Sequence, residues 1–120
     1  MRIATLILVA ALASPAGAAL AHAHLVSSVP AANATVRPAP GQIWLKFTDI
    51  IRPTASAVRL TDPGGRRTRL TPLARDPRDL FAVTVPLPAN LRAGRYLVEW
   101  SALSPNAHHT QGTFAFTVAR

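Results

Sequence analysis

Ile43, Leu45 and Phe47 alternate with Trp44, Lys46 and Thr48, so this segment has one uniformly apolar face and one mixed face, as a half-buried strand requires. The same period of two returns where Tyr96, Val98 and Trp100 interleave with Leu97, Glu99 and Ser101. It returns again where Phe114, Phe116 and Val118 interleave with Thr113, Ala115 and Thr117. Shorter candidates are Leu25 to Val29, Ala57 to Thr61, Arg67 to Leu73 and Phe81 to Val85. Turn signals stand between them: Pro38-Ala39-Pro40-Gly41, Asp62-Pro63-Gly64-Gly65 and Pro86-Leu87-Pro88, where proline fixes φ and glycine supplies positive φ. Ten of the eleven prolines follow residue 21 and leave no uninterrupted helical stretch there. About seven short strands in one small domain predict an all-β Greek-key sandwich or barrel. Trp44, Trp100, Phe114 and Phe116 could form a stacking platform for bases or sugars, but their strand spacing predicts core.

Residues 1–21 have a different pattern. Arg2 is followed by an apolar run from Ile3 to Ala13, a Ser14-Pro15 break and the small-x-small Ala19-Leu20-Ala21. This predicts a secretory signal cut after Ala21, with an apolar run too short to span a bilayer. A rival cut after Ala21-His22-Ala23 would leave His24 at the terminus. Cutting after Ala21 leaves residues 22–120 as one domain, without cysteine, so its stability must come from its core or a bound ligand. It also removes Arg2, leaving 12 basic against 5 acidic residues, a net charge of +7 with neutral histidine. Outside the cytoplasm such an excess points to solubility or an anionic surface rather than to nucleic acid. Arg66, Arg67, Arg69, Arg75 and Arg78 gather in one stretch, read as a solvated hairpin and loop rather than a docking patch.

The chemistry-bearing residues are the histidines. All four lie in two clusters, His22-Ala23-His24 and His108-His109, with none between positions 25 and 107. A chain starting at His22 offers an amine and an imidazole to one ion. A sheet-end loop holding His108, just ahead of the last strand, can lie beside the first strand. Three imidazoles and an amine suit Cu(II) in a tetragonal arrangement, with Zn(II) and Ni(II) as competitors. The only methionine, Met1, leaves with the signal, so no thioether Cu(I) site can be built. The amine, with an unperturbed pKa of about 7.7–8.0, must lose its proton, so binding weakens as pH falls. A local alternative is a terminal X-X-His chelate through amine, two amides and the third-residue imidazole, which needs no His108. The five carboxylates are dispersed, and no Gly-x-Ser-x-Gly elbow or phosphate-cradling loop is present, so no hydrolytic or phosphoryl-transfer machinery is visible.

Four segments resemble the CopC family of exported copper-binding proteins: His22 to Ala31, Ile43 to Asp49, Ala93 to Trp100, and Asn106-Ala107-His108 leading to Gly112-Thr113-Phe114. The likeness spans residues 22–120 and implies a cupredoxin-like Greek-key barrel, with Cu(II) held by a terminal histidine, a third-residue histidine and an Asp-x-His pair, the three histidine roles falling to His22, His24 and His108. Asp49 takes the place of an acidic residue that accepts a hydrogen bond from the terminal amine. The aspartate of the pair is Asn106 here, a neutral and weaker ligand, or a lost one. His109 stands where a proline often follows. Neighbours on an extended segment point to opposite sides, so His109 is a spare rather than a fourth ligand.

The resemblance implies a periplasmic, monomeric, non-enzymatic Cu(II) carrier or buffer acting in copper resistance. It also implies a membrane transporter of the CopD type as partner. Two rivals come from other classes. One is a metal-free immunoglobulin-like interaction module, in which the histidines are merely exposed. The other is a histidine-brace copper oxidase, disfavoured because three imidazoles would close the open coordination that oxygen chemistry requires.

Overall fold

The computed structural model describes residues 22–120; the signal-peptide expectation for residues 1–21 lies outside them. Nine strands run in chain order: β1 (Leu25–Val29), β2 (Thr35–Val36), β3 (Gln42–Phe47), β4 (Ala57–Thr61), β5 (Arg67–Leu70), β6 (Ala74–Arg75), β7 (Ala82–Pro86), β8 (Gly94–Leu103) and β9 (His109–Val118). One sheet has the order β1-β3-β7-β6, the other β2-β9-β8-β4-β5. All pairings are antiparallel except β2 with β9. The described residues therefore form an all-β sandwich, as the alternation predicts. Their only helical turn is a 3-10 turn at Pro53–Ala55, with proline in its first position.

The apolar positions of the pattern line the space between the sheets. Ile43, Leu45 and Phe47 of β3 are buried, as are Tyr96, Val98, Trp100 and Ala102 of β8 and Phe114, Phe116 and Val118 of β9. The phenol of Tyr96 donates to the Arg92 carbonyl at 2.7 Å, a tie back to upstream backbone of the kind found in Greek-key sandwiches. Burial raises the Tyr96 pKa. The Tyr96 ring stacks on Phe116 at 5.4 Å, and at the other end Phe47 meets Trp100 edge-on at 5.3 Å. Such pairs add about 0.5–1.5 kcal/mol each beyond the area they bury. Trp100 also dictates its neighbour across the ladder. A Cβ on Gly112, directly opposite, would lie 2.6 Å from the indole Cζ2, so only glycine fits there.

Turn chemistry acts where it is expected. Asp62 Oδ1 accepts the amides of Gly64 and Arg66, each at 2.9 Å, and Gly65 takes φ +88° to close the β4–β5 hairpin. The segment Arg67 to Leu73, expected as one strand, divides. β5 ends at Leu70, and after Pro72 the chain pairs as β6 in the other sheet. Proline has no amide to continue a ladder, which is the physical reason for the break. The arginine stretch divides with it. Arg66, Arg67 and Arg69 stay on the hairpin, while Arg75 donates to the carbonyls of Ile51 and Leu80, both at 2.9 Å.

Trp44 departs from the expected core. It is half-buried on the outside of the four-stranded sheet, with its indole N–H donated to Asp76 at 2.8 Å. The Arg78 amide, and after it the Trp44 indole, hold the Asp76 carboxyl below its ordinary pKa of 3.8. Neighbouring Asp79, paired with Lys46 at 2.8 Å, is lowered in the same way. A carboxylate whose folded pKa is depressed adds stability above its unfolded pKa and loses it as pH falls through the folded value. Acidification below about pH 4 should therefore loosen the 76–81 loop first. Trp44 fluorescence would report this, and Asp76→Asn should shrink the step to the part due to Asp79 while leaving the neutral-pH fold intact. An unchanged acid profile in that variant would refute the assignment.

Candidate metal centre

The site forms where three chain segments meet at one end of the sandwich. Ala23 is fully buried and fixes the first segment between its two histidines. Thr110 Oγ1 on β9 donates to the Ala23 carbonyl at 2.6 Å. From the end of β3, Thr48 grips the same segment three times. Its amide donates to the His24 carbonyl at 2.8 Å, its hydroxyl accepts the His24 amide at 2.9 Å, and that hydroxyl donates to the His22 carbonyl at 3.3 Å. The backbone flanking both front histidines is thus tied to β3 and β9 before any ligand is considered.

The second segment is the loop 104–108 that joins β8 to β9. Ser104 is fully buried; its amide donates to the His108 carbonyl at 3.0 Å, and its hydroxyl donates to the Asn106 side-chain oxygen and to the same His108 carbonyl. The Ala107 amide closes onto the Ser104 carbonyl at 3.0 Å, with Ala107 in the left-handed region at φ 64°. The third segment, after β3, braces this loop. The Arg52 amide donates to the Leu103 carbonyl at 2.9 Å and its guanidinium to the Pro105 carbonyl at 3.3 Å.

These ties bring His22 and His108 together, 86 positions apart in sequence. Their ring centroids lie 4.6 Å apart at an interplanar angle of 76°. His22 is half-buried and its Nδ1 is buried without a hydrogen-bond partner among the described residues. A buried nitrogen without a partner is costly, by about 1–3 kcal/mol. An imidazole lone pair in that condition, beside a second imidazole, suits a borderline transition-metal cation.

The other expected residues are carried by the same three segments and by the start of β9. His24 is exposed, and its backbone is bonded to Thr48. Asp49 is half-buried, and its Oδ1 accepts the Ile50 amide at 2.7 Å. The Asn106 side-chain oxygen receives the Ser104 hydroxyl. His109 is exposed and opens β9 opposite Leu103. Among the described residues, no group of three or more His, Cys, Asp or Glu side chains converges on one point. The sequence reading missed Thr48, Ser104 and Thr110, which position the backbone here. Hydroxyl residues at strand ends carry no periodic signal, so only their partners reveal them.

Removing the Thr48 hydroxyl strips the His24 amide of its acceptor and the His22 carbonyl of a donor. Thr48→Ala should weaken the hold on the 22–24 segment by about 1–2 kcal/mol. Hydrogen exchange at His24 should accelerate by roughly fivefold or more, while Val98 in the β8 core stays protected. Equal acceleration at both positions would mean global destabilisation and refute the local role.

Comparison with known proteins agrees with this architecture. The CopC domain family matches residues 25–119. The chain is 36% identical over 118 residues to protein YobA of Escherichia coli K12, covering 98% of this chain and 94% of YobA. It superposes on the crystal structure of CopC from Methylosinus trichosporium OB3b with a TM-score of 0.72 at 26% identity, covering 81% of this chain and 93% of that one. Against PcoC, described as a methionine-rich copper resistance protein from Escherichia coli, the TM-score is 0.71 at 30% identity, with 82% and 100% covered. On this match across nearly the whole described sandwich, the chain belongs to the CopC family.

Proposed function

We propose that this protein is an exported, periplasmic Cu(II)-binding protein that serves copper resistance as a carrier or buffer, without catalysis. In this reading residues 1–21 are removed and His22 becomes the amino terminus. One Cu(II) ion is then its cargo, held by the His22 amine and imidazole, His24 and His108. The observation that carries the proposal is the 4.6 Å contact of His22 with His108, with a buried, unpartnered nitrogen on His22, in a chain of the CopC family. PcoC is named as methionine-rich, whereas this chain has a single methionine, Met1. With neither thioether nor thiolate after residue 1, the donor set is nitrogen and oxygen, which favours Cu(II) over Cu(I).

His24 would join by side-chain rotation, since Thr48 holds its backbone two residues from His22. Asp49, next to Thr48, places a negative charge at the same strand end, where it would serve the terminal amine. Asn106 contributes at most a neutral oxygen, and Ser104 competes for it. The domain works as a monomer and passes copper to or from a membrane transporter of the CopD type. Protons compete with the metal for the amine and imidazoles, so uptake weakens on acidification.

Intact mass of the exported protein under native conditions, with and without one equivalent of Cu(II), tests the reading. A mass beginning at His22 with one retained copper is expected. His108→Ala should weaken retention by at least about tenfold, since even groups that only support a ligand are worth 10–100-fold. A terminus elsewhere, or copper held equally well without His108, would refute the three-histidine site and leave only the local terminal chelate.

Asn106→Asp should act in the opposite direction. It replaces a neutral oxygen with a charged one near a dication, a gain of about 1 kcal/mol or more, or at least roughly fivefold in affinity. Competitive titration with a chromogenic Cu(II) chelator measures this; an unchanged affinity would show that position 106 does not face the ion.

A further inference from the structure

The outer face of the five-stranded sheet carries a shallow trough of about 420 Å³, lined by Arg59, Arg67, Glu99, Ser101, Gln111 and Thr113 among others. Its charges are arranged against local stability. Arg59 on β4 lies directly opposite Arg69 on β5, which lines an adjoining hollow with Pro53, Thr54 and Leu70 rather than the trough itself, and like charges facing each other across a ladder are unfavourable. Glu99 is the cross-strand neighbour of Arg59 on its other side, but its carboxylate is taken at 2.6 Å by Arg67, which reaches over β4. The two ion pairs among the described residues are Lys46–Asp79 and Arg67–Glu99, so neither Arg59 nor Arg69 is in one. Arg59 is half-buried, which raises the cost of leaving its charge uncompensated. Beside these guanidinium groups, the side chains of Ser101, Gln111 and Thr113 can each donate or accept a hydrogen bond. All of them stand on strands, so the arrangement is rigid.

We propose that this face is a docking surface for an acidic segment of a partner protein, whose carboxylates pair with Arg59 and Arg69. Guanidinium groups recognise carboxylates in a two-pronged geometry, and Ser101, Gln111 and Thr113 serve the segment's backbone. The trough crosses β5, β4, β8 and β9 rather than following one strand, so an acidic chain laid across the strands would set its carboxylates against the guanidinium groups. Its upper end, the Ser101–Gln111 pair, lies two residues from Leu103–His109, or about 7 Å along the strands. One margin of the docking surface therefore lies near the loop carrying His108. The surface stands whether or not the chain binds copper.

Fluorescein-labelled octaglutamate, titrated into the whole protein at low salt and followed by anisotropy and amide chemical shifts, tests the proposal. Saturable binding is expected, with shifts gathered at Arg59, Arg69, Ser101, Gln111 and Thr113. The double variant Arg59→Glu/Arg69→Glu should weaken binding at least about tenfold. Arg37→Glu/Arg120→Glu, the same charge change beside the far end of β9, should stay within about twofold. Arg69→Glu alone sets an acid opposite Arg59 and should raise the melting temperature while weakening binding, which separates lost docking from lost folding. Equal loss in the two double variants, or scattered shifts, would reduce the effect to diffuse attraction and overturn the proposal. So would phosphatidylglycerol vesicles that engage Arg59 and Arg69 where octaglutamate does not. Cu(II) uptake by Arg59→Glu/Arg69→Glu should equal that of the unchanged protein. A chain that takes up no copper yet binds the peptide sinks the copper reading alone.

Discussion

The ten-residue ladder between β8 and β9 is the constraint on which the rest of the molecule depends. It places Tyr96, Val98 and Trp100 against Phe114 and Phe116 on one side and supplies seven of the eighteen buried residues of the core cluster. Within it, Trp100 and Gly112 occupy one ladder position between them, a large ring accommodated because its neighbour has no side chain. Filling Gly112 would displace Trp100 and with it the edge-on contact to Phe47 that joins the two sheets at the histidine-bearing end. A close-packed core cannot absorb such a shift locally, because its side chains interdigitate without spare volume.

The same ladder decides where the chemistry lies. Its closed end is the loop 104–108, folded on the buried Ser104 so that His108 is presented beside the entering chain. The entering chain is held by two hydroxyls, Thr48 just beyond the end of β3 and Thr110 on β9, one beside each sheet. The contact between His22 and His108 is thus a product of both sheets meeting at one edge. Neither histidine cluster could make it through local structure. Placing an unpartnered imidazole nitrogen there costs folding energy, and a bound cation would return it.

Away from that end, the two outer faces handle charge differently. Around Trp44 every carboxylate is committed: Asp76 to the indole and the Arg78 amide, Asp79 to Lys46 and the Phe81 amide. On the five-stranded sheet the arginines outnumber the single glutamate, and cross-strand register sets two of them against each other. Self-repulsion of this kind is tolerated in a strand pair because the ladder and core outweigh it, which leaves the face free to serve recognition.

Strand existence was legible in the sequence because the period of two is a direct consequence of pleating. Ile43-Leu45-Phe47, Tyr96-Val98-Trp100 and Phe114-Phe116-Val118 all face inward as read. The hairpin at Asp62 to Gly65 was equally legible, since aspartate and glycine act there through their own covalent geometry. So was the pairing of histidine clusters as an idea, because residue type limits ligand chemistry. The rest required the third dimension. The division of residues 67–73 between two sheets, the outward seat of Trp44, the short β2 and β6, and the hydroxyl clamps of Thr48, Ser104 and Thr110 depend on partners 4 to 87 positions away. Periodicity reports which side of a strand is apolar, but not which strand lies alongside it. The sequence by itself determined the element type and the available ligands. Only the tertiary structure decided that His22 meets His108, because that contact is set by the packing of two sheets rather than by any local preference.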